Sequence, residues 1–291
     1  MAAIERVAIL GTGLIGASIG LALRDAGFGG PITGWDRSTA EAETALHRGA
    51  ISTIAGDAIA AAAEADCIVL AMPVFGILDW IDRLGPRLRA GQLVTDVGST
   101  KQAICARAQQ IFHGAGAHFL PGHPMAGKEV HGAEHATGSL FRGAVWLFTP
   151  LAEPQSGTGE QLDAAWRAWV ARFGARPLDM DPARHDVVCA WASHLPQMLG
   201  TALAALLEDT FPAGEGGSAD LHAIGGRAMR EMTRLGASPF SMWRDIAHTN
   251  REAIAASLLA MEQRLALLRE NLTEPELRQQ FERANQFRSR F

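Results

Sequence analysis

The sequence contains no tyrosine and few cysteines. With no tyrosine among 291 residues, no mechanism can use a tyrosine phenol as its acid or base. The three cysteines, Cys67, Cys105 and Cys189, lie far apart and form no C-x-x-C pair. Because disulfide frameworks and zinc sites need numerous or closely spaced cysteines, we expect neither in this chain.

The sequence also lacks an export signal, a membrane span and an excess of basic residues. The apolar stretch near the N-terminus is too short for a signal peptide, and no apolar run approaches the roughly 20 residues that span a membrane. The formal net charge is -5, from 26 basic and 31 acidic residues. We therefore expect a soluble, cytoplasmic protein that binds a small-molecule substrate and neither nucleic acid nor membrane.

A glycine-rich turn opens the chain. Residues 4–10 have the composition of a strand, and they are followed by Gly11-Thr12-Gly13-Leu14-Ile15-Gly16 and a helical pattern. This order matches the dinucleotide-binding fingerprint. In it, Gly11 makes the tight turn, Gly13 lets the backbone approach a pyrophosphate, and Gly16 lets the helix pack on the sheet. We expect Leu14 and Ile15 to present N–H groups to the phosphates at the helix N-terminus.

The next predicted strand, residues 31–35, leads into Asp36, which lies 20 residues after Gly16. A carboxylate at this position accepts hydrogen bonds from the ribose of NAD and repels the 2'-phosphate of NADP. The sequence therefore predicts NAD as the cofactor. Arg37 follows directly and could pair with that phosphate, so NADP stays open.

Further predicted strands continue an α/β fold. Residues 66–73 form a nearly continuous apolar run, typical of a parallel strand buried on both faces. At its end we expect Ala71 and Pro73 to contact the cofactor. Two more predicted strands, residues 92–97 and 118–120, lead towards Ser99 and His123. Because parallel strands open at one edge of a doubly wound sheet, Ser99 and His123 should meet across one crevice.

His123 stands in the segment Gly122-His123-Pro124-Met125-Ala126-Gly127. A neutral imidazole is suited to take the proton of a hydroxyl group while a nicotinamide cofactor takes the hydride. The alternative is a loop histidine that only satisfies its own hydrogen bonds.

The second part of the chain is predicted to be helical. After Asp181 the strand signals stop and long apolar helices follow, broken at residues 211–214 and 238–239. The predicted architecture is a Rossmann-type doubly wound parallel sheet in residues 1–180 and an all-helical domain in residues 181–291. Helices this apolar should leave apolar surface uncovered, so we expect a homodimer formed through the helical domain.

Taken together, these motifs resemble the prephenate and arogenate dehydrogenase family. The resemblance covers nearly the whole chain and implies oxidative decarboxylation of prephenate or arogenate with NAD(P), giving 4-hydroxyphenylpyruvate or tyrosine. It also implies an all-helical C-terminal dimerisation domain. The matching segments are residues 11–16, 96–101, 123–127, 140–144, 185–186, 193–196, 233–234, 238–239 and 243–250.

The resemblance also implies roles for individual residues. His123 is the catalytic group on the substrate hydroxyl, and Ser99 hydrogen-bonds either His123 or the substrate. Arg234 binds a substrate carboxylate, for which a planar guanidinium is well matched; a structural ion pair between Arg234 and Glu231 is the alternative.

Three further residues are predicted to bind substrate. His194 contacts the substrate or gates the site, unless it is only a packed core histidine. Lys128 and Glu129 close the pocket or contact the substrate, with a solvated loop as the alternative. We expect no metal, because His131, Glu134 and His135 stand in a glycine-containing loop.

Other functions stay open at this point. A β-hydroxyacid dehydrogenase or imine reductase would have a similar architecture, but the helix with a catalytic lysine that such enzymes carry is missing. An NAD-binding regulatory protein without turnover would not need His123 and Ser99. Short-chain dehydrogenases are excluded, because they use a tyrosine. Two domains account for the 291 residues, so we expect neither a chorismate mutase nor an ACT domain, and any control by tyrosine should act at the active site.

Overall fold

The computed structural model describes residues 4–114, 116–151, 158–214, 216–273 and 275–290. In these residues strands and helices alternate up to residue 179, and only helical elements follow. We call these parts the sheet half (residues 4–180) and the helical half (residues 181–290). The boundary at residue 180 itself stays a prediction. None of the described helices is long and apolar enough to cross a membrane.

A six-stranded parallel sheet forms the centre of the sheet half, with strand order β3-β2-β1-β4-β5-β6. Every residue of β1 and β4 is buried, which explains why both strands are continuous apolar runs in the sequence. The predicted doubly wound sheet is confirmed. The strands are β1 Val7–Leu10, β2 Ile32–Trp35, β3 Thr53–Ile54, β4 Cys67–Leu70, β5 Leu93–Asp96 and β6 His118–Leu120.

Helices cover both faces of this sheet: α1 Leu14–Asp25, α2 Thr39–His47, α3 Ala58–Glu64, α4 Val74–Leu84, α5 Gln102–Phe112 and α6 Thr158–Arg172. Successive side chains of a strand point to opposite faces. Val7 and Ile9 of β1 accordingly lie in a core with α1, α2 and α6. Ala8 and Leu10 lie in a second core with α3, α4 and α5.

A second, smaller sheet follows the first, and the sequence predicts only its last strand, around residues 176–179. It consists of β7 Gly122–Pro124, β8 Val145–Phe148 and β9 Arg176–Asp179, with β7 antiparallel and β9 parallel to β8. The sequence placed His123 just beyond the last strand of the main sheet; the structure places it within β7. A three-residue strand is too short to show an alternating pattern.

The helical half contains α7 Pro182–Cys189, α8 Leu195–Thr210, α9 Gly216–Ile224, α10 Arg227–Thr233, α11 Phe240–Thr249, α12 Arg251–Glu270 and α13 Pro275–Arg288. The uninterrupted apolar pattern of residues 187–207 predicts a single helix. A π-helical segment, Ala190–His194, instead separates α7 from α8. Pro196 has no N–H to donate to the carbonyl of residue 192, so the regular α-helical hydrogen bonding is interrupted here. The predicted all-helical second domain is confirmed.

Two buried carboxylates of the helical half cap helices of the sheet half. Asp186 accepts the N–H groups of Lys101 (2.7 Å) and Gln102 (2.9 Å) at the start of α5. Asp245 accepts the N–H of Phe75 (3.1 Å) at the start of α4. Neither helix has a side-chain cap at its own N-cap position, so these carboxylates satisfy N–H groups at the positive end of each helix dipole. The two halves are therefore joined at the carboxyl edge of the sheet.

Candidate active site

A cavity of about 600 Å³ lies where the carboxyl edge of the main sheet faces the helical half. A doubly wound sheet binds its ligands at this edge. The sheet half contributes residues 13–15, 71–74, 97–99 and 123–128 to the lining, and the helical half contributes residues 192–194 and 241–243.

The glycine turn forms one end of this cavity. Gly11 has a φ of +95°, and a Cβ there would collide with the carbonyl group of Ala71, so only glycine fits. Gly13, Leu14 and Ile15 line the cavity at the N-terminus of α1, which has no side-chain cap. Uncapped N–H groups at the positive end of a helix dipole suit a bound pyrophosphate. The local structure thus fits a dinucleotide.

Asp36 is fixed beside the glycine turn. Its carboxylate accepts the N–H of Thr12 (2.7 Å) and of Ser38 (2.9 Å), one on each oxygen. Oδ2 also accepts the hydroxyl of Thr12 at 3.4 Å, so Oδ1 retains the capacity to accept a further hydrogen bond from a ribose hydroxyl. Asp36 and Arg37 lie outside the cavity lining, whereas Ala71 and Pro73 are part of it.

His123 is buried in the cavity wall, and its Nδ1 lies 2.9 Å from Nε2 of His185. Burial lowers the pKa of His123 well below 6.5, and His185, Lys101 and His194 act in the same direction. The imidazole is therefore neutral at pH 7, the state in which it can accept a proton.

Ser99 follows β5 and lines the same cavity as His123. Within the described residues, no hydrogen bond joins Ser99 to His123, and the Nδ1 of His123 is bonded to His185. The Ser99 hydroxyl can thus reach a bound ligand without first breaking a bond to His123.

The turn that carries Ser99 is held by a buried ion pair. Lys101 and Asp96 are both fully buried and contact each other. Asp96 also accepts the N–H of Gly98 (2.7 Å) and of Gly122 (3.1 Å). Because a buried lysine needs a charged partner, the pair fixes both the Ser99 turn and the start of the strand with His123. The sequence predicts the strand that leads to Ser99 but not the ion pair between Lys101 and Asp96.

His194 lies in the π-helical segment and also lines the cavity. The amide Nδ2 of Asn250 donates to the Asp186 carbonyl (2.8 Å) and lies 3.3 Å from Nδ1 of His194. Burial lowers the pKa of His194 to about 4, with Asp186 opposing the shift and His185 adding to it. Since an amide nitrogen can only donate, Nδ1 of His194 accepts and its Nε2 carries the proton. His194 is thus a neutral hydrogen-bond donor.

The three charged residues predicted to bind substrate lie near the cavity mouth. Arg234 forms an ion pair with Glu129, and Lys128 donates to the carbonyl of His135 at 2.7 Å. Of these three, Lys128 lines the cavity and the other two do not.

The alternative prediction, an ion pair between Arg234 and Glu231, is wrong. Glu231 pairs instead with Arg227, one helical turn earlier, at 2.6 Å. Helix α10 ends at Thr233 and Arg234 begins a 3-10 turn, so Arg234 does not continue the helical face of Glu231.

No role of His185 is predicted from the sequence, although His185-Asp186 belongs to the resemblance. The spacing of nine residues between His185 and His194 on a helix predicts only that these two do not act as a pair. In the structure, His185 bonds His123, which lies 62 positions earlier in the chain. No local pattern reveals such a contact.

His123, His185 and Cys189 are the described residues that could hold a metal ion. Their three ligand atoms lie within 4.8 Å of one another and are buried. This donor set would suit zinc. The 2.9 Å separation between the two imidazole nitrogens is that of a hydrogen bond. The absence of a metal stays a prediction.

Comparisons with known proteins agree with the geometry. Residues 19–176 match the nucleotide-binding domain of prephenate dehydrogenase, and residues 181–286 match the dimerization domain of prephenate dehydrogenase. The chain is 33% identical over 254 residues to the prephenate dehydrogenase of Bacillus subtilis (strain 168), in an alignment that covers 86% of this chain. The alignment covers 65% of the Bacillus protein, just under two thirds of its length.

Two solved structures are similar over almost their whole length. A prephenate dehydrogenase from A. aeolicus, in complex with hydroxyphenyl propionate and NAD+, has a TM-score of 0.86 and 28% identity, covering 99% of this chain and 98% of that one. The arogenate dehydrogenase of Synechocystis has a TM-score of 0.76 and 30% identity, covering 98% and 99%.

Proposed function

Because the chain belongs to the prephenate dehydrogenase family, we propose that it catalyses the NAD-linked oxidative decarboxylation of prephenate or arogenate. The observation that carries this proposal is the buried, neutral His123 in a cavity that also contains the glycine turn. The product is 4-hydroxyphenylpyruvate from prephenate or tyrosine from arogenate.

The sheet half holds the cofactor in this proposal. NAD, when bound, accepts the hydride from the ring carbon that bears the substrate hydroxyl. The N-terminus of α1, with Gly13, Leu14 and Ile15, binds the pyrophosphate. Asp36 accepts hydrogen bonds from the ribose, and Ala71 and Pro73 contact the cofactor along the cavity wall.

His123 accepts the proton of the substrate hydroxyl and later returns it. It takes the hydroxyl proton as the carbon–hydrogen bond breaks, and the electron pair of the O–H bond becomes the second bond of a carbonyl group. When the bond to the ring carboxylate breaks, CO2 leaves, the ring becomes aromatic and the oxygen takes the proton back from His123. Ser99 orients the hydroxyl, and the Nε2–H of His194 donates to the substrate.

The charged residues bind the substrate carboxylates. Arg234 offers two parallel N–H donors to a carboxylate, once the substrate replaces Glu129 in the ion pair that the structure shows. Lys128 lies in the cavity wall next to Glu129 and adds a second positive charge. Whether the substrate side chain carries a keto or an ammonium group decides between prephenate and arogenate.

Absorbance at 340 nm tests the proposal, with purified protein and each pair of NAD or NADP with prephenate or arogenate. Reduced cofactor should appear with at least one pair, and faster with NAD. His123→Asn should abolish turnover and leave NAD binding, measured by calorimetry, unchanged. His118→Asn is the matched control, because His118 is also largely buried but lies near Asp163, outside the cavity. Absence of turnover with all four pairs would overturn the proposal.

We also propose that the protein is a homodimer joined through the helical half. Several large apolar side chains of this half are exposed, among them Leu206, Ile224, Met232, Phe240 and Leu259. Exposed apolar surface of this kind is typical of an interface. Light scattering after size exclusion should give twice the mass of one chain, and a single-chain mass at micromolar concentration would refute the dimer.

A cytoplasmic location is the last part of the proposal. All three cysteines are free and buried, as in proteins of reducing compartments. Cell fractionation would test it.

A further inference from the structure

Two buried residues behind His123 have no role in the proposed reaction so far. His185 and Asp186 are both fully buried on α7. Nε2 of His185 lies 2.9 Å from Nδ1 of His123, and Nδ1 of His185 lies 2.8 Å from Oδ1 of Asp186. The three side chains thus form a continuous chain of hydrogen bonds that ends at the cavity.

The direction of each hydrogen bond follows from Asp186. Its carboxylate already accepts the backbone N–H groups of Lys101 and Gln102, and a carboxylate has no proton to donate. Nδ1 of His185 must therefore carry a proton and donate it to Asp186. Nε2 of His185 then has a lone pair, and Nδ1 of His123 donates to it. In this arrangement the lone pair of His123 is on Nε2.

We propose that His185 and Asp186 are positioning residues that hold His123 in the tautomer whose Nε2 accepts the substrate proton. This inference rests on the proposed function and deepens it. The O–H bond of the substrate breaks, its proton goes to Nε2 of His123, and its electron pair becomes the second bond of the carbonyl group as the ring carbon loses its hydride. The proton returns to the same oxygen after CO2 has left.

The surroundings of the pair make this arrangement rigid. Asp186 is held at the N-terminus of α5, where the helix dipole favours a negative charge, and Asn250 binds its main-chain carbonyl. Because α5 belongs to the sheet half and α7 to the helical half, the orientation of His123 depends on both halves being in contact. The other ionisable groups that face His123 and His185 are Lys101, His194 and Cys189.

Variants of His185 test this role better than variants of Asp186, because Asp186 also caps α5. His185→Phe removes the acceptor for Nδ1 of His123, so both tautomers of His123 become populated. His185→Gln restores an acceptor oxygen for His123 and an N–H donor for Asp186. His118→Phe controls for the loss of a largely buried histidine elsewhere in the sheet half.

The first readout is steady-state kinetics in the presence of EDTA, which removes any metal bound to the histidines. His185→Phe should lower kcat about 10- to 100-fold with KM within about threefold, since the base of the proton-transfer step loses both its fixed tautomer and its fixed ring orientation. His185→Gln should recover kcat to within about fivefold of the wild type, a smaller loss than that of the phenylalanine variant. Unchanged kcat in His185→Phe, or equal losses in both variants, would overturn the proposal.

The second readout needs no substrate. In protein labelled with 15N-histidine, the ring nitrogens of His123, assigned with His123→Asn, should show a protonated Nδ1 and an unprotonated Nε2. His185→Gln should keep this signature, whereas His185→Phe should average it between the two tautomers. A protonated Nε2 in the wild type would refute the proposal even if His185→Phe does not fold. If the wild type turns over none of the four substrate and cofactor pairs, the proposed function fails, while the 15N spectrum still decides the tautomer.

Discussion

Replacement of Asp36 should move the cofactor preference from NAD towards NADP. In Asp36→Asn the side chain keeps one acceptor oxygen and loses its charge. The wild-type carboxylate is fixed by the N–H groups of Thr12 and Ser38, so it meets the ribose without further ordering. At about 1.5–3 kcal/mol for a hydrogen bond to a charged group, kcat/KM for NAD should fall about 10- to 150-fold.

The same substitution should raise kcat/KM for NADP. The charge that repels the 2'-phosphate disappears, and the exposed Arg37 next to it becomes a partner for that phosphate. We expect kcat/KM for NADP to rise and kcat at saturating NAD to change less than about threefold, because the loss concerns binding rather than chemistry. Arg37→Ala in the Asp36→Asn background should reverse the gain with NADP and leave NAD almost unaffected.

The assay is the initial rate at 340 nm with each cofactor varied at saturating substrate. Thermal denaturation of the variant separates a change in binding from a loss of fold, since Asp36 holds one backbone N–H of the glycine turn, that of Thr12, and the backbone N–H of Ser38. If kcat/KM for NAD divided by kcat/KM for NADP stays within about threefold of the wild-type ratio in a folded variant, Asp36 does not contact the ribose.

Four further predictions concern pH, substrate binding and the joint between the halves. Because burial keeps the pKa of His123 well below 6.5, kcat/KM should stay nearly constant as the pH falls to 6.5 and decline only below it; a decline centred at or above pH 6.5 would contradict the neutral base. Burial also lowers the pKa of His194 to about 4, so the unfolded state binds more protons than the folded state between about pH 4 and 6.5. The free energy of unfolding, measured in urea, should therefore fall as the pH is lowered through this range. Arg234→Lys should raise KM for the substrate about tenfold with kcat little changed. The control Arg227→Lys alters an exposed ion pair and should change neither KM nor kcat. Equal changes of KM in the two variants would show that Arg234 does not bind the substrate. Asp245→Ala should lower the free energy of unfolding in urea by about 1–2 kcal/mol, because the N–H of Phe75 loses its cap. The control Asp79→Ala replaces an exposed residue of the same helix and should lower the free energy of unfolding by less than about 0.5 kcal/mol.

Much of the fold could be predicted because local patterns encode it. The runs in β1 and β4 are apolar throughout since both faces of these strands are buried. The glycines at 11, 13 and 16 mark positions where a side chain would collide or would block the approach of a phosphate. The strands β3 and β7 could not be predicted, because two or three residues carry no periodicity. The π-helical segment was missed for a similar reason, as an apolar helical pattern continues through it.

The sequence by itself determined the change from alternating strands and helices to helices alone, the positions of the glycine turn and of His123, and the family to which the chain belongs. These features depend on residue types at fixed short spacings, which a linear chain displays directly. Only the tertiary structure decided which side chains meet. It placed His185 against His123, Asp186 at the start of α5, and Arg234 against Glu129 rather than Glu231. Such pairs lie far apart in the chain, and they form only because packing of the two halves brings their backbones into register, so no local spacing specifies them.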